Sequence, residues 1–338
     1  GVNLAISASI DLLYSAVFVI ETSWYLTASK LFEQSSDDFD ALISDLLKVI
    51  SMEQNPPILE LQDAAEKKNI DVLWDDDFVS LGHGTGSQKW GINEIPNVDE
   101  VNWENLHNVP VAMITGTNGK STSVRLSTAI ADAAGKVSGS TSTDFVKLGD
   151  DILDYGDYSG PGGARMLLRD KRLEMAFLEV ARGGILRRGL PLRQATGALV
   201  TNIAADHLGE YGINTVEHLA DAKFAVARAL SDDGILVLNA DDKLVANNGL
   251  SSQNTICWFS LSDNNEHIIT ARYSGGLCCW LDNGKLHYFD GNEITLTINV
   301  SDIPIAMGGA AKFNIQNAMG ALCLAKAMGI SNEAILKG

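Results

Sequence analysis

The residues best suited to chemistry lie between 114 and 122, where the chain reads Ile114-Thr115-Gly116-Thr117-Asn118-Gly119-Lys120-Ser121-Thr122. Gly116 and Gly119 permit a tight turn in which successive backbone N–H groups converge on one anion. A helix starting at the end of that turn adds the positive end of its dipole. Such a loop cradles phosphate, with Lys120 as a point charge for the terminal phosphates and the Ser121 hydroxyl as a ligand for Mg²⁺. Ile114 stands where the common loop G-x-x-x-x-G-K-[ST] has its first glycine. Downstream, Glu179 closes an apolar run at 175–180, and a carboxylate there suits Mg²⁺. Arg182, three residues on, is its alternative partner. His207 follows the apolar run at 198–203 by a few residues; taken alone, a histidine there serves equally as a structural hydrogen-bonding group. Lys223 lies in a helical stretch, where a plain surface lysine is the alternative.

Strands and helices in alternation must position these residues. Residues 109–114 read as a buried strand and 121–134 as a helix stopped by Gly135. Strands are expected at 175–180, 198–203 and 234–239, and a helix over 215–230. This rhythm predicts an α/β fold, doubly wound around a mostly parallel sheet, in which ligands bind at the carboxyl ends of the strands. The loop, Glu179 and His207 all fall at such ends. From 255 the character changes. Runs at 268–273, 277–281, 285–289 and 294–300 read as strands, and Asn283-Gly284 between two of them is a strong hairpin signal. An antiparallel β addition is therefore expected, followed by a helix over 313–328. Upstream, helices over 42–50 and 58–68 and a strand at 70–74 suggest a small α+β domain over 1–92. A polar, acidic linker over 93–108 would join it to a central nucleotide-binding domain over 109–330. The chain begins with Gly and stops at Gly338 just after a helix starts, so it reads as a fragment in which 331–338 opens a further domain. No heptad or exposed apolar stripe stands out, and the oligomeric state is left open.

Composition narrows the function classes. The 338 residues carry 25 Lys plus Arg against 43 Asp plus Glu, a net charge of −18 that disfavours a general nucleic-acid or anionic-membrane binder. No apolar run reaches the ~20 residues of a membrane span, and no basic leader precedes the first lysine, Lys30. None of the four cysteines sits in a C-x-x-C pair, as expected for reduced thiols in a cytoplasmic chain. Against this acidic background, Arg165, Arg169, Lys171, Arg172, Arg182, Arg187, Arg188 and Arg193 gather in one short region. They suit ATP and an anionic carboxylate or peptide, with solvated surface charge as the alternative.

The segment 115–122 resembles the nucleotide loop of the Mur ligase superfamily, ATP-dependent enzymes that join a carboxylate to an amine. Several further segments resemble the Mur-like half of cyanophycin synthetases: Ser159-Gly160-Pro161-Gly162-Gly163-Ala164-Arg165, Leu178-Glu179-Val180-Ala181-Arg182-Gly183-Gly184-Ile185-Leu186-Arg187, Val200-Thr201-Asn202-Ile203-Ala204-Ala205-Asp206-His207-Leu208-Gly209 and Leu238-Asn239-Ala240-Asp241-Asp242. The likeness covers roughly residues 109–335. It implies that Ser121, Glu179 and His207 hold Mg²⁺, that Lys223 takes the place of a lysine carbamylated in several Mur ligases, and that Asn314 and Asn317 approach the adenine. Phe313 departs from the family pattern by replacing a histidine. The ATP-grasp domain of cyanophycin synthetases has no counterpart here, and the third Mur domain, which closes over ATP, would begin where the chain stops.

The resemblance implies an amide ligase that activates a carboxylate as an acyl phosphate for attack by an amine. A nucleotide-binding module without turnover is the competing expectation, and a kinase stopping at phosphoryl transfer the third.

Overall fold

The computed structural model describes residues 4–35, 37–206 and 208–338. They divide into two compact units, one made of the described residues within 1–70, 76–79 and 90–104, the other of those within 71–75, 80–89 and 105–338. Three helices open the chain: α1 (Leu13–Leu31), α2 (Phe39–Glu53) and α3 (Pro56–Glu66). Glu53, at the end of α2, accepts the first N–H groups of α1 from Tyr14 (2.8 Å) and Ser15 (2.6 Å), so the acid of one helix terminus satisfies the donors of another. Three short strands follow, β1 (Val72–Trp74), β2 (Phe78–Leu81) and β3 (Gln88–Gly91).

The large unit then runs β4 (Val111–Thr115), α4 (Lys120–Ala133), β5 (Ser138–Thr141), β6 (Phe145–Leu148), β7 (Asp151–Tyr155), α5 (Pro161–Leu168), β8 (Met175–Glu179) and α6 (Arg182–Arg188). It continues with β9 (Ala195–Val200), α7 (Val216–Lys223), β10 (Leu230–Asn239), α8 (Lys243–Gly249), β11 (Thr255–Ser260) and α9 (Glu266–Ser274). β12 (Leu277–Asp282), β13 (Lys285–Phe289), β14 (Ile294–Asn299), α10 (Lys312–Ala327) and α11 (Asn332–Lys337) complete it. Eleven strands form one sheet in the order β14-β13-β12-β11-β10-β9-β4-β8-β5-β6-β7. The run from β12 to β5 is parallel, and β13–β14 at one edge and β6–β7 at the other are antiparallel.

Strand alternation sorts the core into two layers. On β4, Val111 and Met113 join the cluster that includes Leu167, Leu219 and Val245, whereas Ala112 and Ile114 join Val124, Met319 and Leu322. Helices α5 to α9 therefore cover one face, and α4, α10 and α11 the other. The doubly wound, mostly parallel α/β fold read from the sequence is borne out, as is its antiparallel addition.

One element differs. Residues 268–273, expected as a strand, lie in α9, because the Asn265 side chain caps the helix by accepting from His267 N (2.9 Å) and Gly275 ends it in the left-handed conformation. The helix expected over 215–230 keeps α geometry only to Lys223 and tightens into a 3₁₀ turn, Phe224–Ala229.

Candidate functional site

β4 enters the 116–119 turn with all five of its residues buried, and its two neighbours decide what surrounds that turn. Ile114 lies opposite Glu179 on β8, and Thr115 opposite Val200 on β9. Three adjacent parallel strands thus deliver the loop, the acid and the 201–204 segment to one edge of the sheet.

The loop is tied in place before any ligand contributes. Thr117 N donates to Asn202 O (2.8 Å) and Asn118 N to Asn202 Oδ1 (2.9 Å). The Asn118 carbonyl accepts from Thr201 Oγ1 (2.6 Å) and Asn202 Nδ2 (3.0 Å). Thr115 Oγ1 donates to Val180 O (2.8 Å), and Thr117 Oγ1 accepts from Ala204 N (3.0 Å). Gly116 (φ 146°) and Gly119 (φ 84°) are needed here for two reasons: both have positive φ, and a Cβ would strike Thr201 Oγ1 at the first and Asn317 Oδ1 at the second. Gly119 heads α4 without any side-chain cap, leaving the first-turn N–H groups to a ligand. Lys120 folds over the loop, donating to Thr117 O (3.2 Å), and Ser121 and Thr122 follow, partly exposed, in the same turn.

Thr201 and Asn202 have no assigned role in the sequence reading, yet they hold the loop. The available signal is their place directly after the strand beside β4, where any polar residue faces the turn.

Glu179 is 2% exposed, and among the described residues neither carboxylate oxygen completes a hydrogen bond. Burial raises its pKa; Ser121 and Lys120 pull the other way but are outweighed. A buried acid with unspent oxygens beside a helix-opening serine fits a hard cation with oxygen ligands. Lys223, at the end of α7, is 3% exposed and donates to Gly116 O (2.7 Å). Burial first, then the nearby Lys120 and Arg182 charges, lower its pKa to about 8, against the pull of Asp206. It is therefore a buried lysine of the loop, not a surface one. His207 lies outside the described residues.

A cavity of about 330 Å³ opens beside the loop, lined by Asn118, Gly119, Thr201, Asn202, Phe259, Phe313, Gln316 and Asn317. Asn317 reaches it. Asn314 does not: its amide donates to Ile305 O (2.8 Å), which secures the turn before α10. Gln316, unassigned from sequence, is aimed by its bond to Asp241 Oδ2 (3.0 Å).

At least four of the eight cations are paired with carboxylates within the chain. Arg165 and Arg169 both pair with Asp75, Arg172 with Asp151 (2.7 Å) and Asp170 (2.9 Å), and Arg182 with Glu210 (2.6 Å). Arg187 and Arg188 remain exposed, Arg187 with its guanidinium 5.7 Å from the Tyr211 ring centre.

The Mur ligase middle domain matches residues 114–325, more than half of the chain. The chain belongs to the Mur ligase family. It is 42% identical over 236 residues to the cyanophycin synthetase of Crocosphaera subtropica, covering 70% of this chain and 27% of that relative. It is 26% identical over 227 residues to the UDP-N-acetylmuramoylalanine–D-glutamate ligase of Chlorobium luteolum, 67% of this chain and 44% of the other. The chain thus spans about a quarter of the cyanophycin synthetase's length. Among solved structures, a UDP-N-acetylmuramoyl-L-alanyl-D-glutamate–2,6-diaminopimelate ligase superposes with a TM-score of 0.52 at 20% identity, over 68% of this chain and 45% of that one. That likeness speaks for the fold, and the loop, Glu179 and Lys223 all fall within the matched middle domain.

Proposed function

We propose that this chain carries the nucleotide-binding and carboxylate-activating core of an ATP-dependent amide ligase of the Mur type. The observation that carries the reading is the pairing of a pre-tied phosphate loop with the unspent, buried carboxylate of Glu179. Glu179 and Ser121, with His207, would hold Mg²⁺, which supplies charge neutralisation at the phosphates. ATP's phosphates lie along the N–H groups of 116–121, with Lys120 at the terminal phosphate and the base in the cavity beside Asn317. A carboxylate oxygen of the acyl substrate attacks the γ-phosphorus, the bond to ADP breaks, and an acyl phosphate forms. An amine then attacks the acyl carbon and phosphate leaves with the electron pair of the broken C–O bond, giving an amide. Lys120 stabilises charge that grows during the phosphoryl transfer.

Lys223, with a pKa near 8, has more neutral amine at physiological pH than an ordinary lysine, which is the form that reacts with CO₂. Carbamylation would turn it into an anion next to the loop, as the family resemblance implies. The exposed Arg187 and Arg188 favour an anionic carboxylate or acidic peptide as acyl substrate. The cyanophycin synthetase relatives favour a peptide-like acceptor.

The test is hydroxylamine trapping, in which an acyl phosphate becomes a hydroxamate when ATP, Mg²⁺ and acidic peptides are supplied. Wild-type protein should yield hydroxamate, and Lys120→Ala should lower the rate on the order of 10²–10³-fold while the fold survives. Bound ATP with no hydroxamate, or near-normal activity in Lys120→Ala, contradicts the proposal.

A further inference from the structure

The first helix carries a feature that the nucleotide site does not use. Val17, Trp24 and Leu31 recur at intervals of seven residues, as do Phe18, Tyr25 and Phe32. At about 100° per residue, these six and the flanking Leu13 and Tyr14 fall on one arc of roughly 140°. All are exposed, Trp24 at 57% and Leu31 at 73%. The buried residues of α1, Ser15, Ala16 and Ser29, lie outside that arc, and Ser23, Thr27 and Lys30 beyond them are exposed polar positions. α1 therefore carries an exposed apolar face, which corrects the expectation that no heptad or exposed apolar stripe stands out.

The dimensions and the charge say what belongs on that face. An aromatic side chain presents about 150–250 Å², and at these fractional exposures the stripe amounts to roughly 800 Å², the area each partner contributes to a stable interface of ordinary size. The two rows occupy adjacent positions, so they lie about 100° apart and bound a broad face rather than a narrow a/d seam, with Glu21 between them. The stripe holds one charge, Glu21, and α1 has no cation other than Lys30 at its last turn. That is the wrong composition for adsorption to anionic lipid, which draws on Lys and Arg flanking an apolar face. Among the described residues no helix is long and apolar enough to cross a membrane. A partner helix that is apolar over the same length and nearly uncharged is present in every second molecule of the chain.

We infer that α1 docks against α1 of a second copy, making a two-fold dimer through the Val17–Trp24–Leu31 and Phe18–Tyr25–Phe32 rows. Two-fold pairing uses one patch twice and leaves no open end for fibre growth. It also brings the two Glu21 carboxylates toward each other near the middle of the helix, so this residue limits the strength of the dimer.

Sedimentation velocity of the 338-residue chain at micromolar concentration tests this. The wild-type chain should sediment with twice the chain mass. Trp24→Glu should halve that mass without changing the far-UV circular dichroism or ATP binding; Leu31→Glu, at the end of the helix, decides the matter if Trp24→Glu does not fold. Glu21→Gln should tighten the dimer severalfold. A monomeric wild-type chain, a dimer that survives both charge substitutions, or a dimer weakened by Glu21→Gln overturns the inference. So does a chain that is monomeric alone and floats with phosphatidylcholine vesicles, which would assign the stripe to lipid.

Discussion

Two buried acids in the large unit, Asp71 and Glu179, have spent their carboxylates differently. Asp71 sits 3.3 Å from the Nε2 of fully buried His83 and also accepts backbone N–H groups of Arg193 and Gln194. Burial still pushes its pKa up to about 6, and burial lowers His83 to about 4. Glu179 is buried as well, and among the described residues neither of its oxygens completes a hydrogen bond, whereas at Asp71 only Oδ2 is left so. Both burials cost stability. At Asp71 two backbone N–H groups and the Arg193 charge offset part of that cost, though burial still outweighs them; at Glu179 both oxygens stay open, as the proposed Mg²⁺ site would require. The contrast separates two acids that burial and pKa direction leave alike.

The largest effect that could break this contrast is Glu179→Gln. Removing an unpartnered buried charge should raise the melting temperature of the nucleotide-free chain, while ATP-dependent hydroxamate formation falls on the order of 10²–10³-fold. Thermal unfolding alongside the trapping assay checks both. A variant that melts lower and stays active would place Glu179 among the structural acids.

A smaller effect separates two asparagines in the same way. Asn317 lines the cavity, whereas the Asn314 amide is spent on Ile305 O. Asn317→Ala should weaken ATP binding with little change in stability. Asn314→Ala should cost about 1 kcal/mol of stability and leave ATP affinity unchanged; calorimetric titration and denaturant unfolding distinguish them.

The smallest effect concerns pH. Asp71 binds its proton more tightly folded than unfolded, so its contribution falls as pH rises from about 4 to 6. His83 binds its proton less tightly folded, so its contribution grows from about 4 to 6.5. The two oppose each other in wild-type protein. Asp71→Asn should leave the His83 trend alone, giving a urea midpoint that rises with pH across that window; a flat midpoint would show that His83 is not buried as neutral imidazole.

Much of this site was legible in the sequence because short-range rules govern it. Glycines at 116 and 119, Lys120 and Ser121 declare the loop, and Glu179 at a strand end declares its place on the sheet edge. Side-chain assignments that depend on tertiary neighbours were not legible. Nothing in Asn314 itself says that Ile305 O takes its amide, and the arginine cluster gives no sign in sequence that Asp75, Asp151, Asp170 and Glu210 neutralise half of it. Residues 268–273 misled through their β-branched content, Ile268, Ile269 and Thr270, which the caps at Asn265 and Gly275 override. Lys223 reads as an ambiguous helix residue until the fold buries it against Gly116.

The most direct test of the central claim, that Glu179 is kept unpaired for a metal bound with ATP, is the Mg²⁺ dependence of ATP affinity measured by calorimetry on wild-type and Glu179→Gln protein. Mg²⁺ should strengthen ATP binding to the wild type by about tenfold or more, the scale on which metal-site groups act, and have little effect on Glu179→Gln. Equal Mg²⁺ enhancement in both proteins would contradict the account.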